Sequence, residues 1–76
     1  MNFSSHTFKG ARVDVCPTMH ALGDQNYICR VYPDKLHGDY YQGLLVVAGS
    51  RDAAAREAAL EFNALYPHAE QIVIQP

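Results

Sequence analysis

The sequence predicts a small α+β domain in which three antiparallel strands, one helix and a short final strand follow in the order β-β-β-α-β. Three observations predict it: apolar residues with a period of two in the first half, an alanine-rich stretch in the second half, and turn-forming residues between them. A chain of 76 residues allows one domain, residues 1–76, and we expect residues 1–6 to form a flexible lead-in.

The first strand is predicted over residues 7–16, because apolar and polar residues alternate there and Pro17 then ends the pattern. Ala11, Val13 and Val15 point to one side, and Arg12, Asp14 and Cys16 to the other. This alternation is typical of a strand with one buried and one polar face.

The second and third strands are predicted over residues 27–32 and 40–48. Turn-forming residues separate the strands, in a loop over residues 17–26 and another over 33–39. The third strand is continuously apolar at its end, so we expect it to be central or covered on both faces. Because consecutive strands tend to be neighbours, the three strands should form an antiparallel meander.

The helix is predicted from about Arg51 to Tyr66, with Ser50 as its N-cap and Pro67 as its stop. At helical spacing, one face collects the residues expected to dock on the sheet, which are Ala55, Ala58, Ala59, Phe62 and Tyr66. Leu60 projects from the opposite side, as a single exposed leucine or as a contact for a partner or a second copy. The final strand, residues 72–74, is expected to pair in parallel with a neighbour.

Composition excludes several classes of protein. Hydrophobic residues make up 49% and the net charge is −2, which argues against a disordered chain and against a protein that coats nucleic acid through bulk positive charge. The polar start of the chain predicts no secretory signal, and the longest apolar run, residues 44–48, is too short to span a membrane. With only two cysteines, we expect a cytoplasmic protein.

One cluster of residue types could bind metal. Cys16, His20, Cys29 and His37 offer ligands, but their spacing lacks the second close pair that is typical of structural zinc sites. A disulfide between the two cysteines across a hairpin is an alternative. No nucleophile motif, phosphate loop or dinucleotide fingerprint occurs. The sequence therefore predicts a protein without catalytic activity and without a cofactor or metal.

Tyrosines and arginines on the sheet are the candidate binding residues, because both types are enriched at protein interfaces. The candidates are Arg12, Arg30, Tyr32, Tyr40 and Tyr41, together with Leu60 on the helix and the 33–39 loop. We predict a non-catalytic protein-binding module and leave open a homodimer formed through Leu60 or a sheet edge. The alternative is a single-stranded nucleic-acid-binding protein that stacks bases on the same tyrosine and arginine face.

The layout resembles that of small uncharacterised proteins of proteobacteria and their phages. The resemblance lies in the opening segment TFKGARVDV and in the helix start SRDAAAREA, which is followed by a proline-containing turn and a final strand. It is also similar to some phage-encoded anti-CRISPR inhibitors. The resemblance is one of layout, so it assigns no role to any single residue. It implies a non-catalytic inhibitor that acts by stoichiometric occlusion of a larger partner.

Overall fold

In the part of the chain that the structure describes, the fold consists of one antiparallel sheet and one helix. A computed structural model describes residues 2–18, 26–35 and 40–75. Its elements are β1 (Ser4–Phe8), β2 (Ala11–Pro17), β3 (Asn26–Pro33), β4 (Gln42–Val47) and α1 (Arg51–Leu65). The strands lie in the order β1-β2-β3-β4, each antiparallel to its neighbour, and α1 packs on one face. The α+β class is confirmed, but four strands precede the helix, not three.

The additional strand arises because the predicted first strand is a hairpin. Phe8 pairs with Ala11 across a two-residue turn, in which Gly10 has a φ of 106°, a left-handed conformation that favours glycine. β1 begins at Ser4, so the residues from Ser4 to His6 are paired with β2 and do not form the predicted lead-in. The turn also places Phe8 on the same face as Ala11, which an uninterrupted strand could not do.

The face of the sheet that packs against α1, the inner face, consists of small and branched apolar side chains. Ala11, Val13 and Val15 of β2 are buried, as the alternation predicted, and Cys29 and Val31 of β3 lie opposite them. These residues form one core with the helix. The predicted loops at 17–26 and 33–39 fall largely outside the described residues.

The helix begins as predicted and packs through the predicted face except for Tyr66, and it ends one residue earlier. The Ser50 side chain accepts a hydrogen bond from the backbone N–H of Ala53, which confirms the N-cap. The buried residues of α1 are Ala54, Ala55, Ala58, Ala59 and Phe62. The prediction for Tyr66 is wrong: it caps the helix and is exposed, whereas Tyr27 of β3 enters the core.

The segment after the helix forms no paired strand among the described residues. Val73 makes a single antiparallel bridge to Lys9, so the predicted parallel pairing of residues 72–74 is wrong. The side-chain amide of Asn63 holds this segment instead. It donates to the Ile72 carbonyl at 2.9 Å and accepts from the Ile72 N–H at 2.8 Å, so Ile72 is fixed in the core.

Candidate functional site

The face of the sheet opposite α1 carries most of the predicted binding residues. We call it the open face, because the only helix among the described residues packs on the other side. Strand register places these residues on it: Ser5, Thr7, Arg12, Asp14, Cys16, Ile28, Arg30, Tyr32, Gly43, Leu45 and Val47. It divides into a cluster of arginines and aromatic rings and a strip of apolar side chains.

The Arg–aromatic cluster consists of Arg12, Tyr32, Tyr41, Arg30 and Phe3. The Arg12 guanidinium lies 4.2 Å from the centre of the Tyr32 ring, and the Tyr32 and Tyr41 rings are 5.3 Å apart at a 44° tilt. Arg30 lies 5.2 Å from the Tyr41 ring and 4.4 Å from the Phe3 ring. These distances are within the range of cation–π and aromatic contacts, so the cluster holds long side chains in place before a ligand arrives.

Arg12 is held from both sides. Its Nε donates to Asp14 Oδ1 at 3.1 Å, and the same carboxylate oxygen accepts from the Ser5 hydroxyl at 2.8 Å. Arg12 and Asp14 are two residues apart on β2, and Ser5 of β1 pairs with Asp14. The side chains of Arg12, Asp14 and Ser5 therefore project from the same face. The carboxylate offsets the charge of Arg12 and fixes its plane over Tyr32.

Arg30 differs because no described residue engages its guanidinium donors. The Phe3 and Tyr41 rings both lie within cation–π distance of the guanidinium. No hydrogen bond or ion pair joins its N–H groups to another residue within 2–18, 26–35 or 40–75. A guanidinium held in this way presents planar donors that match the two oxygens of a carboxylate.

Phe3 is a site residue that sequence reasoning missed. It lies just before β1, where we expected a lead-in. The residue before it is held by the helix, because Arg51 Nη1 donates to the Asn2 carbonyl at 3.0 Å. The residue after it, Ser4, is held by its pairing with Val15 of β2. The aromatic type of Phe3 was the only signal in the sequence.

The apolar strip consists of Ile28, Leu45 and Val47. Ile28 and Leu45 are paired neighbours, and Leu45 and Val47 are 66% and 68% exposed. The prediction that this strand is central or covered on both faces is therefore wrong, because β4 is the last strand of the sheet and these side chains are exposed on the open face. Branched apolar side chains exposed together in this way mark a contact surface more often than isolated ones do.

Two predicted binding residues lie elsewhere. Tyr40 interacts with Tyr66 at the end of α1, where burial and then Tyr40 itself raise the pKa of the Tyr66 hydroxyl. Leu60 is exposed on the helix, away from the sheet, as the helical spacing predicted. The structure therefore brings together Arg12, Arg30, Tyr32 and Tyr41, but it does not add Tyr40 and Leu60 to them.

The cysteines lie on opposite faces of the sheet and are free thiols, so the disulfide alternative is wrong. Cys29 on the inner face donates to the Ala54 carbonyl, and burial, with a smaller effect of the Glu61 charge, raises its pKa from 9.0 to about 11. His20 and His37, the other members of the predicted metal set, lie outside the described residues. Within the described part of the chain, no three metal-ligating side chains converge.

A serine, a histidine and an aspartate meet where β1 contacts the helix start. Ser4 Oγ lies 2.9 Å from His6 Nε2, and His6 Nδ1 lies 3.1 Å from Asp52 Oδ1. Nucleophilic triads use the same order of groups. However, Asp52 is 86% exposed, and the depression of about 330 Å³ beside the three residues is lined by His6 and Asp52 but not by Ser4. We interpret the Ser4–His6–Asp52 contacts as structural interactions that link β1 to the start of α1.

Comparison with protein-family models, curated proteins and solved structures finds no match for this chain. No helix among the described residues has the length and apolar character needed to cross a membrane. The function must therefore be inferred from the geometry of the open face.

Proposed function

We propose that this protein is a non-catalytic protein-binding module that uses the open face. Its partner presents a carboxylate to Arg30 and apolar side chains to Leu45 and Val47. The observation that carries the proposal is the Arg30 guanidinium, which contacts the Phe3 and Tyr41 rings while its N–H groups engage no described residue. Arginine held by aromatic rings is a frequent anchor of protein interfaces.

The two halves of the open face would act together. The apolar strip supplies area that is removed from water on binding, and the Arg–aromatic cluster supplies directed hydrogen bonds. Arg30 on β3 pairs with Gly43 on β4, so a partner segment lying across these strands can reach both the guanidinium and Leu45. Because the cluster is already ordered, binding loses less side-chain entropy.

The alternative, single-stranded nucleic acid, uses the same arginines but needs aromatic faces on which bases stack. Here a guanidinium lies over each of the Tyr32, Tyr41 and Phe3 rings. The chain also carries a net charge of −2, which opposes a polyanion. These observations favour a protein partner. They also fit a stoichiometric inhibitor that occludes a larger protein, as the resemblance to anti-CRISPR inhibitors implies.

Peptide selection tests the proposal directly. A random peptide library displayed on phage is selected against the immobilised protein, and the enriched peptides are then titrated by fluorescence anisotropy. We expect enriched sequences to combine an acidic residue with neighbouring apolar residues. Arg30→Ala should weaken their binding by about tenfold or more, since a charge-assisted hydrogen bond contributes roughly 1.5–3 kcal/mol.

Arg56→Ala is the matched control, because Arg56 is an exposed arginine on the helix. It should bind the selected peptides like the wild-type protein. Equal loss in both variants would mean that only overall charge matters, and unchanged binding by Arg30→Ala would remove the site assignment. If no peptide is enriched but an oligothymidylate binds with a steep salt dependence, the nucleic-acid alternative replaces the proposal.

A further inference from the structure

No described residue pairs with or protects the outer edge of β4. β4 is the last strand of the sheet, and of the described residues none pairs with its outer side. Its sequence, QGLLVV, contains no charged residue and no proline. Natural sheets usually protect such edges with lysine, proline, a bulge or a covering segment. This edge shows none of these among the described residues.

Apolar surface flanks this edge on both sides. Leu45 and Val47 are exposed on the open face. On the helix side, a groove of about 380 Å³ is lined by Leu44, Glu61, Ala64 and Leu65, and Leu65 is 55% exposed. A strand that paired with β4 would therefore gain backbone hydrogen bonds and would also cover the apolar groove on the helix side, while Leu45 and Val47 would gain neighbours beside them on the open face.

We infer that the occupant of this edge is β4 of a second copy of the chain, so that two sheets join into one across a two-fold axis. When two β4 strands pair antiparallel, each residue of one strand faces a residue of the second β4 strand. No residue of β4 carries a charge, so the paired strands do not repel each other.

The other edge does not compete for β4. β1 presents serine, histidine and threonine between its ends, and the Val73 bridge to Lys9 lies just beyond it. A β4-to-β1 contact would be head-to-tail and would leave further edges open, whereas the β4-to-β4 contact closes at two copies. The open face stays uncovered in this dimer, because the two sheets continue side by side. The inference is therefore independent of the proposed partner.

Sedimentation equilibrium of wild-type protein, Leu65→Lys and Leu60→Lys tests the dimer. Both substitutions place the same charge on an exposed leucine of α1, at 55% and 51% exposure, but only Leu65 lies at the β4 edge. We expect the wild-type protein at about 100 µM to have twice the 8.5 kDa mass of one chain. Leu65→Lys should raise the dissociation constant about tenfold or more, and Leu60→Lys should leave it unchanged.

Hydrogen exchange locates the contact. The outward backbone amides of β4 should become slower to exchange as the wild-type concentration rises, and they should not do so in Leu65→Lys. A monomeric wild-type protein at about 100 µM, where a dimer of micromolar affinity is populated, would overturn the inference. So would a dimer that Leu60→Lys disrupts and Leu65→Lys does not, or one without protection in β4. None of these results affects peptide binding at Arg30, which tests the proposed function separately.

Discussion

The two faces of the sheet use opposite packing strategies. The inner face meets the helix through alanines and valines, whose small side chains let the helix approach closely. The open face carries long arginines and aromatic rings, which hold one another by stacking while remaining in contact with water. One face therefore stabilises the fold, and the other can change with little cost to the fold.

The largest expected difference between the faces is the effect of removing an aromatic ring. Phe62 is the large side chain of the helix core, and Phe62→Ala should reduce the free energy of unfolding by about 3–5 kcal/mol. Tyr41→Ala on the open face should reduce it by less than about 1 kcal/mol. Urea denaturation followed by circular dichroism measures both.

If Phe62→Ala leaves no folded baseline, Phe62→Leu provides a smaller and measurable loss at the same position. An equal loss for Tyr41→Ala would mean that the Arg–aromatic cluster is part of the core, and the separation between the two faces would be wrong.

A smaller effect is expected from adding volume at the helix. Ala58 is fully buried against the sheet, so Ala58→Leu should destabilise the fold by roughly 1–3 kcal/mol through overpacking. Ala53→Leu makes the same change on the exposed side of the same helix and should stay within about 0.5 kcal/mol. Thermal unfolding of the two variants gives the comparison. Similar losses would show that helix propensity, and not close packing, determines the result.

The smallest expected effect is the pH dependence of stability that comes from the buried Cys29 thiol. Stability does not change with pH through this group below about pH 9. The folded protein holds the Cys29 proton up to about pH 11, whereas the unfolded chain releases it near pH 9.0. The stability from this group is therefore fully present below about pH 9 and is lost as the pH rises toward about 11. Urea midpoints measured across this range should fall less steeply in Cys29→Ala than in the wild-type protein.

Cys16→Ala is the control for this pH series, because it removes the other buried thiol, on the opposite face of the sheet, and leaves Cys29 in place. The contribution of Cys29 to the slope should remain in this variant. A wild-type slope in Cys29→Ala would mean that the loss comes from lysines and tyrosines, which titrate in the same range.

The elements that local pattern determines were predictable from the sequence. The alternation of apolar and polar residues predicted which side chains of β2 and β3 lie on the inner face, and it also predicted that the two cysteines lie on opposite faces. Ser50 predicted where the helix begins. The first hairpin was missed, because Lys9-Gly10 is a weak turn signal inside a run that continues to alternate. Phe8 was the clue, since it is a large apolar residue on the side that an unbroken strand would have left polar.

The candidate site was only partly predictable. The alternation along the strands predicted that Arg12, Arg30 and Tyr32 share one face. Which of the adjacent Tyr40 and Tyr41 contacts them depends on the path of the chain into β4, and in the structure it is Tyr41. The contact between Arg30 and Phe3 joins residues far apart in sequence through the pairing of three strands. No local pattern encodes such a contact. The exposure of Val47 likewise depends on which face the helix covers.

Neighbouring strands in this sheet are also consecutive in the chain, and this has a kinetic consequence. Each strand pairing closes over a short stretch of chain, so little loop entropy is lost before contacts form, and such topologies fold faster than those with distant pairings. The β1–β2 hairpin, with its two-residue turn, can form on the microsecond scale of isolated hairpins, about 1–10 µs. The alanine face of α1 contacts β2, β3 and β4, so its complete docking requires all three strands to be in place.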